Sequence, residues 1–380
     1  MRIGYDAKRA FRNNSGLGNY SRMLIGGVVS RDCRDLDGVL LYTPGIKGPH
    51  EGYFSQFSHE GCDLKFVVPR GLWRLAPSLW RSVCTGLRAR RDGVSLFHGL
   101  SHELPFGLGK GVKKVVTMHD LIVLRYPSFF KPADRVIHRM KMRHACRVAD
   151  VVVAISEQTK RDLVDLMHVP DDKIKVVYQS CDPIFWNEES RLTAAVREKY
   201  GLPERYIISI GTVEERKNQA TAVRALAMLP EDVKLVIVGR PRGSYPQEVC
   251  RVAAEIGVEN RVVFLEKADF SDFPALYSGA VASVYMSVFE GFGIPVLESL
   301  CCDCPVVTSN VSSMPEAGGS AALYADPTDH QAVAAHLQRL LDDEAFRNET
   351  IEKGRTQKMM FAPEKVTADI WAVYSSLLHN

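Results

Sequence analysis

Short runs of apolar, largely β-branched residues recur along the chain, with enough residues between successive runs for a helix. After a strand-like start at residues 1–6 they fall at Val39–Tyr42, Lys65–Val68, Lys113–Thr117, Val151–Ile155, Lys175–Tyr178, Tyr206–Ile210, Lys234–Val238, Arg261–Leu265, Ala282–Tyr285 and Pro305–Thr308. Runs that are continuously apolar suit strands covered on both faces, so the pattern predicts βαβ units and parallel sheets, an α/β fold. These runs are too many for one ordinary sheet. The segment Gln179–Ser190, with Pro183, Asn187 and two glutamates, reads as a hinge, and a helix at Leu192–Tyr200 restarts the pattern. Two doubly wound, Rossmann-like domains follow, at 1–182 and 183–363, facing each other across an interdomain cleft. Ligands of such sheets sit outside the carboxyl ends of the strands. In the terminal segment 364–380, Val366, Ile370, Val373 and Leu377 recur at helical spacing, which predicts a helix packing back on the first domain.

Length agrees with two domains, since 380 residues exceed what one core usually organises. An apolar fraction of 46% and a charged fraction of 24% exclude disorder, collagen and coiled coil. The net charge of +3 conceals an asymmetry: residues 1–185 carry 29 basic against 18 acidic side chains, whereas residues 186–380 carry 19 against 27. A basic half suits an anionic surface or ligand and an acidic half repels both. Among the nine cysteines the only cluster is Cys301, Cys302 and Cys304, with no second cluster to complete a zinc site, so reduced, buried thiols are expected. The start of the chain lacks the apolar segment of a signal peptide, and no stretch approaches about 20 uninterrupted apolar residues. The expectation is a cytoplasmic protein.

Candidate chemistry concentrates after the run Ala282–Tyr285, in Glu290-Gly291-Phe292-Gly293-Ile294-Pro295-Val296-Leu297-Glu298. Glycines allow close backbone approach, and proline suits a first helical position, so the amides of Gly293 and Ile294 would point outward at a helix start. Such an end binds a diphosphate. Glu298, read as lying in the first turn, has acceptor oxygens for ribose hydroxyls. The plainer reading is a strand–turn–helix link whose glutamates are solvated first-turn carboxylates. The whole string decides between them. Two glutamates eight positions apart around Gly-Phe-Gly-Ile-Pro resemble the signature of glycosyltransferase family 4, retaining enzymes of the two-domain GT-B fold, and the resemblance extends over nearly the whole chain.

The resemblance implies several roles. Gly211-Thr212-Val213-Glu214-Glu215-Arg216-Lys217-Asn218 is similar to the donor-phosphate loop, with Arg216 and Lys217 as a cationic clamp on the leaving diphosphate. Thr212 stands where many members have arginine. Gly239-Arg240-Pro241 forms a wall of the nucleotide site, Leu265-Glu266-Lys267 falls near the base, and Ser312-Ser313-Met314-Pro315-Glu316 with Gly318-Gly319 shapes the loop behind the phosphate helix. In the first domain, Gly16 and Gly18 correspond to a glycine loop near the donor phosphates, although Asn13 or Ser15 could simply cap a helix there. His119, in Met118-His119-Asp120-Leu121, corresponds to a histidine beside the sugar or acceptor; a lone histidine of this kind is otherwise usually structural. Donor contacts are thus expected at Gly16, Gly18, Gly211, Thr212, Arg216, Lys217, Glu290, Gly291, Phe292, Gly293, Ile294 and Glu298. The catalytic set is His119, Glu290, Arg216 and Lys217, with Glu290 and His119 orienting the hexose. No Asp-x-Asp metal pair is present in the second half, so no metal or other cofactor is expected, and the leaving phosphate itself takes the acceptor proton.

The Gly-Thr-Val-Glu-Glu-Arg-Lys-Asn form of the loop is similar to that of bacterial mannosyl- and rhamnosyltransferases of polysaccharide assembly. This favours GDP-mannose, with UDP- and dTDP-sugars as alternatives. For the basic half, Pro77–Arg91 predicts a helix with Trp80, Val83, Cys84 and Leu87 on one stripe and Arg81, Arg88, Arg90 and Arg91 around it, and Lys131–Arg147 is a second cationic stretch. An interfacial helix at an anionic leaflet and an ordinary core helix both fit. Trp80, Arg81, Arg88 and Arg91 are the membrane or acceptor candidates, for a polyprenyl-diphosphate-linked saccharide handled on the cytoplasmic face of the inner membrane. Nucleic-acid binding lacks a motif, and the dinucleotide fingerprint fails because Ser21 follows where glycine is needed; a nucleotide-sugar 2-epimerase on the same fold is the remaining alternative, against which the Glu290-to-Glu298 string and the Arg216-Lys217 loop argue.

Overall fold

A computed structural model describes residues 1–13, 16–31, 36–46, 52–54, 63–191 and 194–378. Ser15, one of the two expected caps, and Leu192, the expected first residue of a helix, lie outside them. The chain divides into two compact units, Met1–Ser180 with Ala362–Asn380, and Cys181–Phe361.

The first unit holds seven parallel strands, β1 (Arg2–Asp6), β2 (Gly38–Tyr42), β3 (Asp63–Val67), β4 (Leu96–Gly99), β5 (Lys113–Met118), β6 (Val151–Ala154) and β7 (Ile174–Val176), in the order β3-β2-β1-β4-β5-β6-β7. The second holds β8 (Tyr206–Ile210), β9 (Lys234–Val238), β10 (Val262–Leu265), β11 (Ala282–Tyr285), β12 (Val306–Ser309) and β13 (Ala322–Ala325), in the order β10-β9-β8-β11-β12-β13. Each is a doubly wound, Rossmann-like sheet. In each, the order reverses beside the first strand, between β1 and β4 and between β8 and β11, and the loops leaving those strands diverge there to make a binding crevice.

Two strands are absent from the apolar pattern, β4 and β13. In β4 (Leu-Phe-His-Gly) a histidine interrupts the run, yet His98 is fully buried. Its Nε2 pairs with Thr117 Oγ1 at 2.8 Å and its Nδ1 with the hydroxyl of Tyr374 at 2.6 Å, so partners from β5 and the terminal helix satisfy what local sequence reads as polar. In β13 (Ala-Leu-Tyr-Ala) the alanines carry no strand preference, and pairing with β12 supplies it.

Core side chains cover both faces of the first sheet. One layer, with Ile3, Tyr5, Ile25 and Val28, also takes Val366, Ile370 and Tyr374 from the terminal helix Pro363–Leu378. The other takes Phe97, Val116 and Met142 together with Trp80.

The helix Pro77–Arg91 forms as expected but is rotated relative to its predicted stripe. Trp80 is 6% exposed and belongs to the core, and Arg81 is 8% exposed, donating from Nη1 to Asp6 Oδ2 at 2.6 Å and from Nη2 to Glu103. Neither side chain is available to a membrane, which corrects the expectation for both. The buried carboxylate of Asp6, at the carboxyl end of β1, requires a counter-charge, and Arg81 is the cation the helix delivers. Arg88 and Arg91 are exposed, the former paired with Asp92 at 2.9 Å. The outward stripe is Leu79, Val83 and Leu87.

Candidate active site

In the second unit, the loops leaving β8 and β11 meet. After β8, Gly211 donates its N–H to Val238 O at 2.9 Å, and Val213 bridges to Pro241, so the stretch Gly239-Arg240-Pro241 after β9 lies alongside. Thr212 is exposed, and its carbonyl accepts from Gln219 Nε2. A single turn, Glu215–Lys217, then presents Arg216 and Lys217 to the β11 loop.

There both cations converge on Glu290. Arg216 Nη1 donates to Glu290 Oε1 at 2.6 Å and Lys217 Nζ donates to the same oxygen at 2.5 Å. The hydroxyls of Tyr285 (2.8 Å) and Ser287 (2.7 Å) also donate to it. Four donors thus saturate Oε1, whereas Oε2 has no partner among the described residues. Burial opposes the charge, but Lys217 and Arg216 override it and hold the carboxyl down at about 2. The clamp is therefore charge-balanced by the carboxylate expected to hold the sugar, and Arg216 Nη2 is further shared with Glu214 at 2.8 Å. The backbone of Glu290 is fixed from behind: its carbonyl accepts from Ser312 Oγ (2.6 Å) and Ser313 Oγ (2.9 Å).

Gly293 caps the helix Ile294–Cys301 at φ +97°, a conformation in which a side chain would be strained. The amides of Gly293 and Ile294, three and four residues after Glu290, have no partner among the described residues. Pro295 occupies the second helical position, which moves Glu298 into the second turn and corrects the first-turn expectation. It is buried, receives the Tyr277 hydroxyl at 3.3 Å, and is pushed up to about 8 by burial. At neutral pH Glu298 is thus mostly protonated. Phe292 also departs from expectation: its side chain is 1% exposed and packs edge-on against Phe361, 5.0 Å between centroids. It anchors the loop; Gly291 beside it is half-buried. Cys301, Cys302 and Cys304 are buried at the end of this helix.

In the first unit, His119 follows β5 and is 4% exposed. Its Nε2 lies 2.8 Å from Leu100 O, which only accepts, so Nε2 carries the proton and Nδ1 presents a lone pair. Burial, followed by the neighbouring His102, lowers its pKa to about 3, leaving a neutral acceptor. His119 N–H donates to His102 Nε2 at 2.8 Å, and Tyr20 stacks edge-on at 4.8 Å while bonding Thr117. Gly16 is the exposed first residue of the helix Gly16–Val29. Gly18 is buried, and a Cβ there would lie 1.9 Å from Asn13 O. Glycine there serves a backbone-to-backbone approach, a steric reason for the residue that is independent of any donor contact.

Tyr285, Ser287, Glu214, Tyr20 and His102 are parts of these constellations that motif reasoning missed. The signal that could have found Tyr285 is its place as the last residue of a strand whose next loop carries the chemistry.

Residues 15–184 match Glycosyltransferase Family 4, and residues 193–357 match the glycosyl transferases group 1. The chain is 32% identical over 377 residues to O-antigen chain mannosyltransferase B of Escherichia coli, covering 96% of each protein. This chain belongs to glycosyltransferase family 4. As a family 4 glycosyltransferase it also resembles the N-acetylgalactosamine-N,N'-diacetylbacillosaminyl-diphospho-undecaprenol 4-alpha-N-acetylgalactosaminyltransferase of Campylobacter jejuni, at 28% identity over 58% of this chain and 59% of that one. Its fold matches HepE of Anabaena in complex with UDP and glucose, with a TM-score of 0.74 at 19% identity over 99% of this chain and 100% of that one. The fold class is that of the GT-B glycosyltransferases. No helix among the described residues is long and apolar enough to cross a membrane.

Proposed function

We propose that this glycosyltransferase moves mannose from GDP-mannose, with retention, onto a polyprenyl-diphosphate-linked saccharide during assembly of a surface polysaccharide such as an O-antigen. The observation that carries the reading is the Glu290 constellation. One carboxylate oxygen is saturated by Arg216, Lys217, Tyr285 and Ser287, while among the described residues neither the other oxygen nor the two amides at the neighbouring helix start have a partner. The donor diphosphate would lie on the amides of Gly293 and Ile294, with Arg216 and Lys217 countering its charge, and Glu290 Oε2 would accept from a mannose hydroxyl. His119 Nδ1 is an acceptor for a further sugar hydroxyl. Because amides and cations supply the counter-charge, the reading needs no metal.

As the bond from the anomeric carbon to the β-phosphate oxygen breaks, its electron pair passes to phosphate, which Arg216, Lys217 and the amides stabilise. The acceptor hydroxyl oxygen bonds to the same face of that carbon, and its proton passes to the leaving phosphate. Mannose and the lipid-diphosphate acceptor are supported by the names of the relatives and by the +11 balance of residues 1–185. Peripheral attachment to an anionic leaflet is supported by Arg88, Arg91 and the outward Leu79, Val83 and Leu87 stripe, with Arg81 no longer included.

Thermal-shift titration tests the donor. GDP and GDP-mannose should raise the melting temperature, UDP and dTDP less so, because a ligand selective for the native state stabilises it by mass action. Glu290→Gln should keep the GDP shift while transfer falls by about 100-fold or more. A UDP- or dTDP-selective shift would reassign the donor, silence from all three nucleotides would sink the transferase site, and full activity in Glu290→Gln would remove that carboxylate's role.

A further inference from the structure

Seventeen large apolar side chains are substantially exposed among the described residues, and ten of them belong to residues 72–87, Phe106 and the Pro132–Val148 helix. Solvated apolar area on this scale marks a binding surface. A groove of about 570 Å³ lies between the Pro77–Arg91 and Pro132–Val148 helices. Leu104, Phe106 and Met140 give it an apolar lining, and Phe106 lies against His144, 4.3 Å between ring centroids. Three cations, Lys141, Arg143 and Arg147, line the same groove.

The charge there is only partly neutralised among the described residues. Glu103, the groove's one carboxylate, is occupied by Arg81 and by Lys141 Nζ at 3.1 Å. Among the described residues, Arg143 and Arg147 have no carboxylate partner and the buried Nε2 of His144 has no hydrogen-bond partner. An apolar trough with unpaired cations on its wall complements an amphiphile with a multiply charged anionic head. Its position relates it to the sugar chemistry: Glu103 directly follows His102, whose Nε2 receives the N–H of His119.

We propose that this groove binds the isoprenoid diphosphate that carries the acceptor saccharide, its chain on Phe106, Leu104 and Met140 and its diphosphate on Arg143 and Arg147. The inference rests on the reading of the acceptor as lipid-linked and adds to it a binding site outside the donor loops.

Farnesyl diphosphate titrated calorimetrically into the full chain tests it. Binding should be saturable and weaken tenfold or more in Arg143→Glu/Arg147→Glu and, separately, in Phe106→Ser, with the GDP thermal shift unchanged in both variants. Inorganic pyrophosphate binding as tightly as farnesyl diphosphate would reduce the site to an anion patch and overturn the proposal. Phosphatidylglycerol vesicles that bind through these residues without competition from farnesyl diphosphate would reassign the surface to the leaflet. No farnesyl diphosphate binding by a chain that still binds GDP would remove the groove and leave the transferase reading standing. Binding lost in the variants, in a chain silent to every nucleotide, would establish the groove and sink the donor site.

Discussion

At the scale of single residues, Glu290 and Glu298 begin as two glutamates of one motif and end in opposite states. Glu290 sits under two cations and two hydroxyls and stays ionised, whereas Glu298, one residue further into its helix than expected, receives a side-chain hydrogen bond only from Tyr277 among the described residues and is held protonated up to about 8. A carboxyl raised in the folded state binds a proton that the unfolded chain, near 4.5, has already lost. Stability therefore falls as pH rises between about 4.5 and 8, by at most about 1.4 kcal/mol per unit, and levels off above. Melting temperatures of the wild type and Glu298→Gln across this window check it: the substitution should flatten the decline. Parallel curves would mean that Glu298 is ionised in the folded protein. The residue types at both positions were legible in the sequence. Their protonation was not, because it depends on which side chains fold against each carboxyl.

At the scale of elements, the helix Gly16–Val29 shows how one motif can be read two ways. Its glycines suggest a loop yielding to a ligand, yet Gly18 allows the helix to pass against Asn13 O, the same carbonyl that Arg22 Nη1 holds at 3.0 Å. A backbone atom cannot move aside as a flexible side chain can. Gly18→Ala should therefore cost about 2–3 kcal/mol, measured by urea unfolding, while Gly16→Ala, with open space around it, should cost much less. Equal small effects would return Gly18 to a ligand-facing role. The Pro77–Arg91 helix teaches the same lesson: its limits follow from composition, but an apolar residue on nearly every side leaves its rotation open. The demand of Asp6 for Arg81 sets it.

At the scale of the whole molecule, the first unit is completed by the end of the chain. The terminal helix inserts Val366, Ile370, Val373 and Tyr374 into the layer under β1, and Tyr374 satisfies His98 from 276 residues away. Burying four such side chains contributes roughly 6–12 kcal/mol, comparable to the stability of an entire domain. Truncation after Phe361 should abolish protection from hydrogen exchange across residues 1–180 and spare residues 181–361. Retained protection in the first unit would show that the helix is dispensable. The sequence by itself determined the parallel α/β class, most of the strands, the family and the Glu290 string, because continuous apolar runs and contiguous motifs are local properties. Only the tertiary structure decided β4, the rotation of the basic helix, the states of the two glutamates and the groove beside His102. Each of these depends on side chains far apart in sequence that meet only when the chain is folded.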